Sequence, residues 1–216
     1  MTKKNRTSAL RARWLHSRGW LALSLLAAIG CGAGPRPAAA PPCDQQCQDG
    51  VALLGLRSAM KVAYNFGVST KPVGAQDGTA PCVSFDGSQG GTVHVFGTAS
   101  VNAIQGASIV SLTYDFKNCL YSAAPAATAN QNFSLTMNGK VTEDGTLSAQ
   151  PTATTALKIE TALDSAMLPT DSLSISGTVY DPPVDYAASG CALSVIQDGN
   201  SVSGALCGRS AGFTFN

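Results

Sequence analysis

The chain has 216 residues, 14 Lys and Arg against 13 Asp and Glu, and a formal net charge of +1 at pH 7. Only 12% of its residues are charged, while Gly reaches 22 and Cys 7. That balance excludes the basic footprint of a nucleic-acid binder, and the length suits one domain large enough for a real core.

Residues 1 to 20 carry Lys3, Lys4, Arg6, Arg11, Arg13 and Arg18 without an acid, and an apolar run follows at 21–29. Basic then apolar is the order of a secretory signal, and the run is too short to span a bilayer core of about 30 Å. It ends Ala28-Ile29-Gly30-Cys31, which resembles the lipobox of bacterial lipoproteins, with Ala28 where that family more often has Leu. The resemblance implies a signal peptide over 1–30, cleavage before Cys31, a diacylglycerol on its thiol and a fatty acid such as palmitate on the new amine. It implies a bacterial cell-envelope address, and Gly32 rather than Asp after the cysteine implies the outer membrane. The partner so implied is a membrane, held through acyl chains on Cys31; two or more chains anchor firmly where one binds only marginally. Cleavage at Ala38-Ala39-Ala40 would instead release a soluble protein. Residues 31–42 read as an extended Pro- and Ala-rich tether of about 30 Å.

Loss of the leader removes six bases and no acid, leaving eight bases against thirteen acids, a net charge of −5. Both tryptophans and His16 leave with it. With Cys31 set aside, Cys43, Cys47, Cys82, Cys119, Cys191 and Cys207 form an even set, as expected of disulfides in an exported chain. Cys191 and Cys207 flank Asp198-Gly199-Asn200, which reads as a three-residue hairpin loop and would place them opposite each other. Cys82 and Cys119 flank the first two clear strands and make the next pairing. Cys43 and Cys47 stand four apart, a poor spacing for a disulfide within one helix, so one of them is expected to reach a strand.

The folded domain, 43–216, opens with a helix predicted over 49–64. Leu53, Leu56, Met60 and Ala63 form its stripe, Ala52, Ala59 and Val62 flank it, and Arg57 and Lys61 face out. A Gly-, Pro- and Asp-rich loop is expected over 68–81. Strands follow near 82–86, 91–101, 107–118, 130–142, 145–163, 171–180, 190–197, 200–207 and 211–215, with turns at Asp86-Gly87, Asp144-Gly145 and Asp198-Gly199. Four strands place a glycine among their apolar positions: Gly97, Gly139, Gly177 and Gly204. Such glycines mark a shallow furrow, the natural seat for the helix, or a shared line of curvature. The expected fold is α+β: one N-terminal helix packed on a curved, mostly antiparallel meander of about eight strands. An all-β barrel or sandwich is the alternative. On Phe116-Lys117-Asn118-Cys119 and the Gly-centred strands, the domain resembles the uncharacterised, Cys-containing, β-rich lipoproteins of Gram-negative bacteria.

Residues that could carry chemistry are few. His94 is the mature chain's single imidazole, and Asp115 on the next strand could orient it as a general base. No Gly-x-Ser-x-Gly sits at a strand-to-helix elbow: Gly208-Arg-Ser-Ala-Gly212 falls between two predicted strands, and Ser58-Ala-Met-Lys61, a Ser-x-x-Lys match, lies inside the predicted helix. Asp181-Pro-Pro-Val-Asp185 and Glu143-Asp144 read as acid-bearing turns without the alternating acids of a dedicated Ca²⁺ loop. With no CxxC pair, no metal and no cofactor are expected. The sequence therefore favours a non-enzymatic binding or structural module on a membrane, with a protein or apolar small molecule as its partner. The alternatives are a carrier of apolar ligands in a half-barrel under the helix, and a hydrolytic enzyme.

Overall fold

Asp44 starts the helix: its Oδ1 accepts the Cys47 amide hydrogen and its carbonyl that of Gln48, each at 2.9 Å. This is the side-chain cap that an N-terminus requires. In the computed structural model, which describes residues 42–67, 73–102, 107–148, 156–160 and 173–215 of the compact unit Pro41–Asn216, helix α1 runs Gln45–Gly67. Cys43 lies just before the first turn and bonds Cys47 across it, with Cα atoms 5.2 Å apart. Neither cysteine reaches a strand as the spacing suggested. The pairing works because Cys43 is outside the helix, where the backbone is free to bring its sulfur inward.

The strands are β1 (Gly74–Val83), β2 (Gln89–Asn102), β3 (Ala107–Ser122), β4 (Phe133–Ser148), β5 (Ala156–Glu160), β6 (Leu173–Val179), β7 (Val184–Cys191), β8 (Leu193–Asp198), β9 (Ser201–Leu206) and β10 (Arg209–Thr214). All their pairings are antiparallel, and the main path is β1-β2-β3-β4-β5-β8-β9-β10. The first half of β4 pairs with β6, which pairs with β7; its second half pairs with β5, which pairs with β8. The sheet thus behaves as an eight-stranded meander in which two positions are each filled by two short strands. β1 and β10 are its edges and do not pair with each other among the described residues; α1 touches both. The fold is α+β, and the sheet is not a closed barrel.

α1 is enclosed on nearly every side. Asp49, Val51, Ala52, Leu53, Leu56, Arg57, Ala59, Met60 and Ala63 are all buried. From Asp49 through Met60 the helix is covered all round, as an interior helix is and a one-sided lid is not, while Lys61, Val62, Asn65 and Phe66 in its last turns are exposed. Two residues stand opposite to expectation: Arg57 is buried rather than outward, and Val62 is exposed rather than part of the stripe. Each fully buried Leu or Met contributes about 1.5–3 kcal/mol.

The sheet glycines do not seat the helix. Gly97, Gly139, Gly177 and Gly204 have φ of 137°, 109°, 142° and 156°. In register, they face Leu112, Phe116, Leu135 and Val195 on the neighbouring strands. A Cβ at Gly97, Gly177 or Gly204 would lie 2.1–2.2 Å from the carbonyl oxygen of Ser111, Ser134 or Ser194. They are points where a strand bends so that the adjacent backbone can close in, which makes them the line of curvature and not a furrow. The close approach to the helix comes from the helix itself. A Cβ at Gly50 would meet the Gly212 carbonyl oxygen at 2.7 Å, and one at Gly55 would meet Leu135 Cδ1 at 2.7 Å.

β3 shows how one irregularity sets a disulfide. Val110, Leu112, Tyr114 and Phe116 are buried in strict alternation; a bulge at Lys117-Asn118 then shifts the phase, and Cys119 is buried next. Asn118 adopts φ 49° there, and its amide donates to Asn138 Oδ1 at 2.7 Å. Asparagine suits this left-handed position. The shift turns Cys119 to the buried face, where it bonds Cys82 with Cα atoms 5.3 Å apart. Cys191 bonds Cys207 at a Cα separation of 4.6 Å, just outside the Leu193 and Leu206 pair. The hairpin between them is tighter than expected, since Asp198 pairs with Ser201 and leaves a two-residue turn. Loop closures of 37 and 16 residues correspond to roughly 4 and 3 kcal/mol in a chain-entropy account.

Three further segments differ from the sequence reading. β1 begins at Gly74, inside the stretch expected to be loop; β4 runs straight through Asp144-Gly145, which is no turn; and β7 was not anticipated. The glycine geometry gives a direct test. Gly177→Ala is expected to cost about 3 kcal/mol or more, because both its φ and the Ser134 carbonyl oppose a side chain. Gly208→Ala, at φ 73° with open space around it, should cost only about 1 kcal/mol. Urea denaturation of the two variants measures the difference, and equal losses would contradict it.

Candidate functional site

Two buried ionic clusters join α1 to the sheet. In the first, Asp49 is fully enclosed. Arg209 Nε and Nη2 donate to its Oδ2 and Oδ1 at 2.7 and 2.8 Å, the Tyr186 hydroxyl donates to Oδ1 at 2.7 Å, and Gln45 Nε2 donates to Oδ1 at 3.2 Å. Burial alone would raise the Asp49 pKa, but the bonds from Arg209, Tyr186 and Gln45 together with the Arg209 charge hold it below its ordinary value. Burial first, then the bond to Asp49 and its charge, pushes the Tyr186 hydroxyl up. The first turns of the helix are thereby fixed to β7 and β10.

The second cluster lies two turns further along the helix. Arg57 Nη1 is 3.0 Å from Oε1 of the fully enclosed Glu143 on β4, off the angle of a hydrogen bond, and Arg57 Nε donates to Gln197 Oε1 at 2.8 Å. The Tyr114 hydroxyl donates to Glu143 Oε2. Burial, followed by the Glu143 charge and that hydrogen bond, raises the Tyr114 pKa well above its ordinary value. Glu143 is therefore an internal anchor rather than part of an acid-bearing turn. Both clusters position the helix; neither places a reactive group where a substrate could reach it.

His94 lies on the outer face of β2. It stands directly across from Asp115 in register, yet its Nε2 contacts Asp77 Oδ1 on β1 at 2.7 Å, while Asp115 Oδ2 lies 3.9 Å from Lys117 Nζ. The expected His94 and Asp115 pair is thus replaced by His94 and Asp77 on an open surface. Cys31 lies outside the described residues. Cys43, Cys47, Cys82, Cys119, Cys191 and Cys207 are all consumed in disulfides. Among the described residues no group of three or more His, Cys, Asp or Glu could hold a metal ion, and no helix is long and apolar enough to cross a membrane.

A cleft of about 380 Å³ opens at one end of the sheet, within the usual size range of ligand sites. Three connections meet there: the turn after β1, the segment between β3 and β4, and the turn between β6 and β7. The first carries Phe85 and Asp86, the second Pro125 and Asn132, and the third Tyr180 and Asp181. Hydrogen bonds hold each in place. Ser88 donates from its amide and hydroxyl to Asp86 Oδ1 at 2.9 and 2.7 Å, and the Phe85 amide donates to Ser122 Oγ at 3.0 Å. Asn132 Oδ1 accepts from the Ala126 amide at 2.6 Å, and its carbonyl accepts from the Tyr180 amide at 2.8 Å. Tyr180 sits at φ 73°, a left-handed conformation that is costly for an aromatic residue. Asp86 is held below its ordinary pKa by the Ser88 bonds. The sequence marked Asp86-Gly87 and Asp181-Pro-Pro as turns but gave no sign that they converge. Compared with family models, curated proteins and solved structures, the chain gives no significant match.

The clusters generate two tests. Arg57→Met should destabilise by about 3–5 kcal/mol, because it leaves Glu143 buried and unpaired, and Arg57→Met with Glu143→Met should regain most of that loss; urea denaturation measures both. The folded pKa of Asp49 lies below its unfolded value, so its contribution is complete above about pH 4 and is lost as pH falls through the lowered value. Asp49→Asn should lower stability at pH 7 and flatten the fall in urea midpoint between about pH 4 and pH 2. An unchanged acid limb would contradict this.

Proposed function

We propose that the protein is an exported, lipid-anchored module of the bacterial cell envelope, tethered through acyl chains on Cys31 and acting by binding rather than by catalysis. The cysteine pairing carries this reading. Three disulfides account for six of the seven cysteines, and the seventh in the sequence is the one at the end of the basic and apolar leader. Disulfides also suit an oxidising compartment outside the cytoplasm.

The internal arrangement supports a rigid module over the other two readings. A carrier of apolar ligands needs room beneath its helix, and here Leu53, Leu56 and Met60 are packed into that position. A hydrolase needs its imidazole in a cleft, whereas His94 stands beside Asp77 on the outer face and does not line the cleft. Binding then falls to the surface, where the loop-end cleft offers a concavity among the described residues. Attachment by lipid on a tether of about 30 Å leaves that surface free to meet a partner near the membrane.

Growth of an expressing bacterial host with an alkyne-bearing palmitate, followed by click labelling, tests the anchor. The wild-type chain should carry the label and sediment with membranes. Cys31→Ser should carry none and leave the membrane fraction. An unlabelled wild-type chain, or a labelled Cys31→Ser chain, would overturn the reading.

A further inference from the structure

The cleft's lining is chemically one-sided. Its lining includes the acids Asp86 and Asp181 and the aromatic residues Phe85, Tyr180 and Phe133, with no Lys, Arg or His among the lining residues. Phe85 is 63% exposed, so its side chain is accessible to a ligand. The segment after the leader carries a net charge of −5, so the negative sign of the cleft is not offset by the chain as a whole. A small anion has no donor of positive charge here. Among the described residues no three His, Cys, Asp or Glu come together to hold a metal ion.

We propose that the cleft binds an organic ammonium group, with the rings of Phe85 and Tyr180 against its alkyl chain and the carboxylates of Asp86 and Asp181 beside its charge. Packing of the rings on the alkyl chain and ion pairing at a rim act together on such a group. The turn bonds from Ser88 keep Asp86 in place before the ligand arrives, and the Asn132 bonds do the same for the backbone of Tyr180. Two sources present this chemistry: a free polyamine, and the lysine side chain of a peptide. This assignment rests on reading the protein as a binding module.

The test is an NMR titration of the full mature chain, followed at the backbone amides of Phe85, Asp86, Tyr180 and Asp181. n-Butylammonium should shift these signals saturably, 1-butanol about tenfold more weakly or not at all, and butyrate not at all. Phe85→Ala and Asp181→Asn should each weaken binding about two- to fivefold with thermal midpoints unchanged, since both side chains are exposed. Spermidine and a lysine blocked at both ends then separate the sources: tighter spermidine binding assigns a polyamine, tighter lysine binding a peptide, and either supports the ammonium. Equal shifts with butanol, the same shifts with CaCl₂, or no saturable shift with butylammonium would overturn the assignment. The palmitate label is read on the same preparation. A labelled chain that ignores butylammonium loses the ligand and keeps the anchor; an unlabelled chain that binds it does the reverse.

Discussion

Two buried carboxylates on opposite sides of the helix contact, Asp49 on α1 and Glu143 on β4, are the constraint around which the rest is arranged. An interior helix that is apolar on all sides can rotate or slide by a residue at little cost, because one small apolar side chain replaces another. Charged pairs remove that freedom. Asp49 is satisfied only where Arg209 and Tyr186 reach it, and Glu143 only where Arg57 and Tyr114 do. Any slip would strand a charge in the interior at a cost of several kcal/mol. The net stability of such pairs against an apolar replacement is small. What they contribute is a single register for a helix whose packing alone would specify several.

The sheet has to curl far enough for both of its edges to touch one helix. Curvature of this degree is concentrated at glycines that face large residues, Gly97 against Leu112 and Gly177 against Leu135. The large residue fills the inside of the bend while the glycine lets the neighbouring carbonyl approach from outside. Covering the edges solves a second problem, since an unpaired strand edge invites pairing with another chain. α1 lies against β1 and β10, and Pro81 removes a donor from β1 as well. One helix therefore fills the core and shields the two open edges.

How much of this was legible in the sequence follows from how local each signal is. Alternation over Val110, Leu112, Tyr114 and Phe116 announced β3, and the flanking cysteines announced two of the three disulfides. The meander followed from the short links. Arg57 was misjudged because a cation among Ala and Leu ordinarily marks the solvent side; its partners lie 86 and 140 residues away, beyond any local pattern. β1 was hidden because Gly, Asp and Pro interrupt it and only Gln76, Ala80 and Cys82 turn inward, with no large apolar residue among them. Asp144-Gly145 looked like a turn because that dipeptide usually is one, yet at φ 140° Gly145 simply continues a bent strand. Cys43 and Cys47 were misread as helical neighbours because the helix start depends on the Asp44 cap, a detail of one hydrogen bond.

The cleft illustrates the same limit. Its three connections are far apart in sequence and meet only because Ser122 pairs with Ser134 and Phe133 with Val179. Those pairings close the ends of β3, β4 and β6 onto one rim, so the loops inherit the rigidity of a sheet that is itself held by a disulfide from β1 to β3. Among the described residues the buried carboxylates of Asp49 and Glu143 are each paired with an arginine. At the rim the balance reverses: Phe85 stays in water, Asp86 and Asp181 lack a basic neighbour in the lining, and Tyr180 accepts an unfavourable backbone angle. Such local costs are tolerable only on a scaffold stable enough to absorb them. A stiff core with an unreconciled rim suits the binding module proposed above, its interior serving folding and its edge recognition.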